Sequence, residues 1–220
     1  MLAAARRQPS AILFAAQLCA VLLYPFMEDS GVGRALFSVF GIAILGLVVL
    51  AVRSSPGLTW VSLLLALPAT ILLLIQAFTD SDALLPYSSA LEAALYFYAA
   101  GALIAYMLAD HIITKDELFA VGATFTLVAW GFAFVFTVCQ AIDPGSFTAA
   151  ERPDAQRTWM ELLFLSFTTM SSTGLSDVVP VNAFARGVVM LEMLAGLGYV
   201  AMVVSRLVGL TVMRHGADHE

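Results

Sequence analysis

The fold turns on how "SFTTMSSTGLSDVVP", Ser166 to Pro180, is read. Hydroxyl side chains fill seven of its fifteen positions and Asp177 adds an acid, yet an apolar run lies on either side. The run before it, Thr158 to Met170, holds 13 residues. At 1.5 Å per residue it rises about 20 Å, well short of a hydrocarbon core of about 30 Å. Such a segment enters a bilayer and stops part-way. The backbone beyond it is then non-helical at membrane depth, which is tolerated only within protein or along a water-filled cavity. Carbonyls and hydroxyls facing such a cavity are what an ion path requires. The short helix also aims its C-terminal end, with about half a negative charge, at the membrane centre, which favours a dehydrated cation. The hydroxyls of Thr168, Thr169, Ser171, Ser172 and Thr173 either supply oxygen ligands and brace the loop or simply cap and turn the chain.

The rest of the sequence sets this loop in a membrane. Of 220 residues, 61% are hydrophobic and 12% charged, against about 25% charged in soluble domains. Apolar runs near residues 10–27, 35–52, 58–78, 88–109, 117–142 and 183–210 predict six transmembrane helices, with the short helix and its loop between the fifth and sixth. The expected class is an all-α membrane protein. Gly, Pro and Asp in "EDSGVG", "RSSPG", "TDSDALLP" and "IDPGSF" mark the connections. Arg6, Arg7, Arg53, Lys115, Arg206 and Arg214 fall on one side, against Arg34, Arg152, Arg157 and Arg186 on the other. That bias places both termini in the cytoplasm of a multi-pass cell-membrane protein. The first run lacks a small-x-small cleavage pattern and reads as a retained helix. A net charge of -6 with scattered basic residues excludes a nucleic-acid partner. Cys19 and Cys139 both lie in apolar runs and are expected to be free, packed thiols.

Three pairs, Ser89 with Glu92, Thr114 with Glu117 and Thr158 with Glu161, have the spacing of a capping box and predict helix starts. Capping would also account for Glu92, an acid within an apolar run. Glu192 has no such explanation, lying about nine residues into the last helix with no base at helical spacing. Intramembrane acids face protein or water and find a partner, so Glu192 is expected behind the loop, held by hydroxyls of the short helix.

From residue 117 to 210 the chain resembles the pore module of the potassium-channel superfamily, in particular small bacterial ion-channel proteins with six helices. The resemblance rests on the hydroxyl-rich end of the short helix, one glycine, Asp177-x-x-Pro180, and "AFAR" opening the last helix. It implies a homo-oligomer, most simply a tetramer, because one loop cannot encircle an ion. Where the family reads TVGYGD, this chain has Ser172, Thr173, Gly174, Leu175, Ser176 and Asp177. Residues 172–176 become the selectivity filter, Asp177 the outer mouth, and Thr168, Thr169, Ser171 and Glu192 its support. Asp143, Glu151 and Asp154 are expected to add negative charge at that mouth. Gly174 keeps one left-handed position, while at Ser176 the outer filter is expected to be either reshaped or strained, the strain costing about 1–2 kcal/mol. Leu175 lacks the family's aromatic ring. Weakened potassium selectivity follows, with passage of K+ and Na+, and restoring an aromatic at 175 and glycine at 176 should sharpen it. The loop also looks like the single-glycine filter segments of Trk-type potassium transporters, which carry four loops in one chain. The alternatives are a potassium-selective channel despite the altered filter, or a non-conducting membrane scaffold that keeps the pore fold.

The expected organisation is a four-helix peripheral domain over 1–113, a pore domain over 114–212 and a cytoplasmic tail over 213–220. The fourth helix has no Lys or Arg, so the peripheral domain lacks a voltage sensor. The residues past Arg206 are too few for a ligand-gating domain, and the i, i+4 pair His215 and His219 reads as a solvated tail rather than a metal site. Gly196 and Gly198 are candidate gating hinges, although close helix packing explains them equally well. Without HExxH, GxSxG or a membrane-embedded pair of acids, no enzyme is expected, and no cofactor beyond permeant cations.

Overall fold

The computed structural model describes residues 8–26, 31–79, 82–109 and 114–217. Its long helices are α1 (Pro9–Leu23, continued by a 3-10 turn to Phe26), α2 (Gly31–Arg53), α3 (Thr59–Thr79), α4 (Leu85–Met107), α5 (Lys115–Ile142) and α7 (Ala183–Ala217). Between α5 and α7 come strand β1 (Phe147–Ala149), the short helix α6 (Trp159–Met170) and strand β2 (Val178–Pro180). Among the described residues, five helices are long and apolar enough to cross a membrane: Pro9–Phe26, Thr59–Thr79, Leu85–Met107, Lys115–Ile142 and the Ala183–Val208 part of α7. Within α2, the stretch Val39–Arg53 is apolar. Large apolar side chains such as Leu64, Leu67, Ile71 and Phe78 stand on the outside. That is the inside-out polarity of a protein whose solvent is lipid. The basic pair Arg6 and Arg7, the domain boundary at 113 and His219 lie outside the described residues.

Helix α5 is the hub, packing against α1, α4, α6 and α7. Its contacts with α1 fix the relative direction of the two. Ser10 meets Asp116 and a Cβ on Gly122 would come within 2.6 Å of the Phe14 ring, while Tyr24 beyond the end of α1 lies 5.5 Å from Trp159 of α6. The two helices therefore run the same way. An aromatic cluster of Tyr96, Trp130, Phe134 and Trp159 fills the α4–α5 side, with Tyr96 stacked on Phe134 at 5.6 Å.

Several local expectations change. Helix α4 starts at Leu85, with Pro86 in its first turn, so Ser89 and Glu92 sit one to two turns inside it and form no cap. A hydroxyl and a glutamate three apart share a face of any helix, and only the position of the true start makes them a capping box. Glu92 is buried without that explanation. At Thr114 only half the box forms, the hydroxyl accepting from the Glu117 N–H while the Glu117 carboxylate turns to Arg206. At Thr158 the box is complete. Both cysteines are free, but Cys19 is exposed and only Cys139 is buried. A two-stranded antiparallel sheet also interrupts the all-helical expectation, pairing Phe147 with Pro180 and Ala149 with Val178. It ties the loop after α5 to the segment leaving the hydroxyl-rich stretch.

Candidate functional site

Helix α6 is held at both ends. At its start, the Thr158 N–H donates to the Glu161 carboxylate at 2.6 Å and the Glu161 N–H to the Thr158 hydroxyl at 3.3 Å, satisfying orphan donors where a negative charge also suits the helix dipole. The buried Arg157 braces this end. Its guanidinium reaches Glu161 at 3.4 Å and backbone carbonyls of Glu151, Arg152 and Ala155. Gln140 of α5 brackets the Arg157 backbone, accepting from its N–H at 2.7 Å and donating to its carbonyl at 2.9 Å. Sequence reasoning missed this pair, since residues 17 apart carry no periodic signal.

Farther along, one stripe of α7 meets the last turns of α6. The Ser166 hydroxyl lies 2.7 Å from the Ala129 carbonyl and is also hydrogen-bonded to the Glu192 carboxylate. Glu192 is fully buried, and its second oxygen has no protein partner. One turn later, a Cβ on Gly196 would stand 2.4 Å from the Met170 carbonyl oxygen and 2.9 Å from its Cα. That backbone contact accounts for Gly196 without a hinge. Gly198 has open space around it. Thr168 and Thr169 are buried, Thr168 Oγ1 donating to the Leu165 carbonyl at 2.9 Å.

The end of α6 sets the shape of the hydroxyl-rich stretch. Ser171 is the C-cap and Ser172 follows at φ 58°. The Ser172 N–H donates to the Thr169 carbonyl and the Thr173 N–H to the Thr168 carbonyl, both at 3.0 Å. These two bonds around a left-handed residue make a Schellman motif. The Gly174 N–H also reaches the Thr168 carbonyl, at 3.2 Å, with Gly174 at φ 65°. The Ser171 hydroxyl donates to the Phe167 carbonyl at 2.7 Å and touches the Thr173 hydroxyl at 3.0 Å. Some hydroxyls therefore cap and turn the chain. Ser176 is not left-handed, since the positive-φ non-glycine residues among those described are Arg152 and Ser172. Of the two alternatives at Ser176, strain is not the one seen: the positive φ falls on Ser172, because the helix end demands it there. Ser176 Oγ instead accepts the Val178 N–H at 3.1 Å and leads into β2.

Ser171 to Leu175 and Asp177 are exposed, Leu175 to 76%. Glu151 and Asp154 are exposed, and Asp143, also exposed, is engaged, accepting from Asn182 Nδ2 at 2.8 Å and the Gly145 N–H at 3.1 Å. Asn182 in turn accepts the Ala185 N–H at 2.7 Å, capping α7. The signal was legible as an Asn immediately before a helical run. Arg186 donates to the Pro180 carbonyl at 3.2 Å, placing a base on the same side as these acids.

A short capped helix, a polar loop left open to its surroundings and two long apolar helices around them define the pore region of a helical membrane channel. Comparison with protein families agrees: residues 93–212, more than half of the chain, match the model of a family described as "Ion channel", and the chain belongs to that family. The match begins inside α4 and takes in all of α5, α6 and the loop. Comparison with curated proteins gives no match, and comparison with solved structures gives none.

Proposed function

We propose that the chain forms a homotetrameric channel passing K+ and Na+ through a loop filter of weakened potassium selectivity. The observation that carries this reading is the exposure of Ser171 to Gly174 at the end of a 12-residue helix in so apolar a chain. Three hydroxyl residues followed by the bare backbone of a glycine are costly against lipid, and copies around an axis would give them a water-filled path. In this reading α1 to α5 and α7 cross the cell membrane and α6 is re-entrant, with both termini in the cytoplasm. Residues 1–113 act as scaffold, 114–212 form the pore and 213–220 a tail. Carbonyls and hydroxyls of Ser172, Thr173, Gly174, Leu175 and Ser176 line the filter in place of hydration water. Asp177 gives the outer mouth negative charge. Thr168, Thr169, Ser171 and Glu192 hold the filter from behind, and Gly198 remains the candidate for flexing. The activity is conduction rather than catalysis, with no cofactor other than the permeant ions.

The test is tracer flux of K+ and Na+ from liposomes holding the purified protein, with oligomer mass measured on the same sample. Flux of both ions through a tetramer is expected. Flux of K+ alone would transfer the protein to the potassium-selective reading, and an intact tetramer passing neither would make it a scaffold.

A further inference from the structure

Two adjacent acids at the start of α5 reach two different helices. Gln8 gives α1 no side-chain cap, and the Asp116 carboxylate serves instead, accepting from the Ser10 N–H at 3.2 Å and the Ser10 hydroxyl at 2.9 Å. Glu117, with its own N–H held by Thr114, pairs with Arg206 of α7 at 3.1 Å. Both acids are buried, and the Arg206 side chain is 15% exposed. Buried carboxylates that lose their partner are strongly destabilising. Neither contact is a decorative surface pair. One turn deeper, the Tyr199 hydroxyl donates to the Val121 carbonyl at 2.6 Å, again joining α7 to α5. A small cavity bounded by Met107, Leu108, Val121, Met202 and Val203 lies against the ion pair.

We propose that Asp116 and Glu117 form a joint linking the positions of α1 and α7, so that they are positioning residues for the inner end of the pore. This rests on the channel reading above. In an assembly lined by α7, its inner end must leave α5 to converge on the axis. The Glu117–Arg206 pair opposes that movement and favours the open state. Asp116 gives α1, a peripheral helix, a hold on the same turn of α5. A shift in α1 therefore biases the pore through differential contacts in its two states.

Single-channel recording of the full chain tests this. Glu117→Gln should lower the open-to-closed ratio roughly tenfold, the ordinary scale of coupling between sites, with unitary conductance and reversal potential unchanged. Exchanging the charges, Glu117→Arg with Arg206→Glu, should restore the ratio. Asp116→Ala should act in the same direction and combine non-additively with Arg206→Gln. A second readout needs no ion flow: the rate at which a thiol reagent modifies Val204→Cys in a Cys19→Ser background should change severalfold on adding Glu117→Gln. An unchanged ratio, or reduced unitary conductance at an unchanged ratio, overturns the joint. A wild type that passes no ions overturns the channel reading instead. The modification rate then decides alone, and a wild-type rate in Glu117→Gln overturns the joint.

Discussion

Ser172 and Gly174 both hold positive φ, two residues apart, for different reasons. Ser172 turns because the helix before it must end, and a side chain in that conformation costs about 1–2 kcal/mol. Ser172→Gly should therefore raise the melting temperature of the oligomer, corresponding to about 1 kcal/mol per chain. Gly174 has nothing within 4 Å of a built Cβ in one chain, so its constraint is the backbone and, in the proposed assembly, the axis. Gly174→Ala should abolish flux with the oligomer intact, and normal flux would remove the carbonyl-lined filter. At Glu192, glutamine keeps the bond to Ser166 while alanine leaves a buried void. Glu192→Ala should cost about 2–5 kcal/mol, as large-to-small core changes do. Glu192→Gln should stay close to wild type by the same melt. The position of Glu192 was legible because an acid inside an apolar run has few places to go. The conformation of Ser172 was not, because family alignment assigns strain by glycine count while the helix end assigns it by hydrogen bonds.

Helices α6 and α7 meet along a stripe of α7 spaced at i and i+4, Glu192 and then Gly196, one reaching a side chain and the other a backbone. That contact is close on both sides, whereas Gly198, half a turn later, faces open space. Gly196→Ala should push the Met170 backbone away and cost about 1–3 kcal/mol, as overpacking does. Gly198→Ala should be tolerated, and removing a mid-helix glycine should add about 0.5–1 kcal/mol. Thermal melts of the two variants in detergent check both, and equal losses would refute the distinction. Helix existence was readable, since long apolar runs leave no alternative, but α7 continues to Ala217, past its expected end near 210, and among the described residues five helices, not the expected six, are long and apolar enough to cross. Starts were less so. Pro86 marks that of α4 better than Ser89, being favoured in a first turn where its missing N–H costs nothing. The contacts that arrange the elements, Ser10 with Asp116 or Gln140 with Arg157, join residues far apart with no pattern to announce them.

At the scale of the whole molecule, selectivity depends on how many rings of oxygen ligands the assembled loops present. The Schellman motif uses the Thr168 and Thr169 carbonyls for the helix end. The irregular stretch runs only from Thr173 to Asp177, with one left-handed residue, Gly174, before β2 takes the chain away. A sheet that sequence patterning missed, because three-residue strands fall below any periodic signal, anchors that exit. Fewer rings should discriminate weakly, so the bi-ionic reversal potential of the wild type with Na+ and K+ should lie near zero. The expected rescue also changes. Ser176 is not left-handed, and its hydroxyl holds the Val178 N–H. Glycine there relieves no strain and removes a tether at the filter exit. Leu175→Tyr with Ser176→Gly should therefore leave the reversal potential near zero. A large shift toward potassium in the double variant would mean that the exit rebuilds into further carbonyl rings. A wild type already strongly selective would mean that Thr173 and Gly174 carbonyls with the Ser172 hydroxyl suffice, and the weak-selectivity reading would fall.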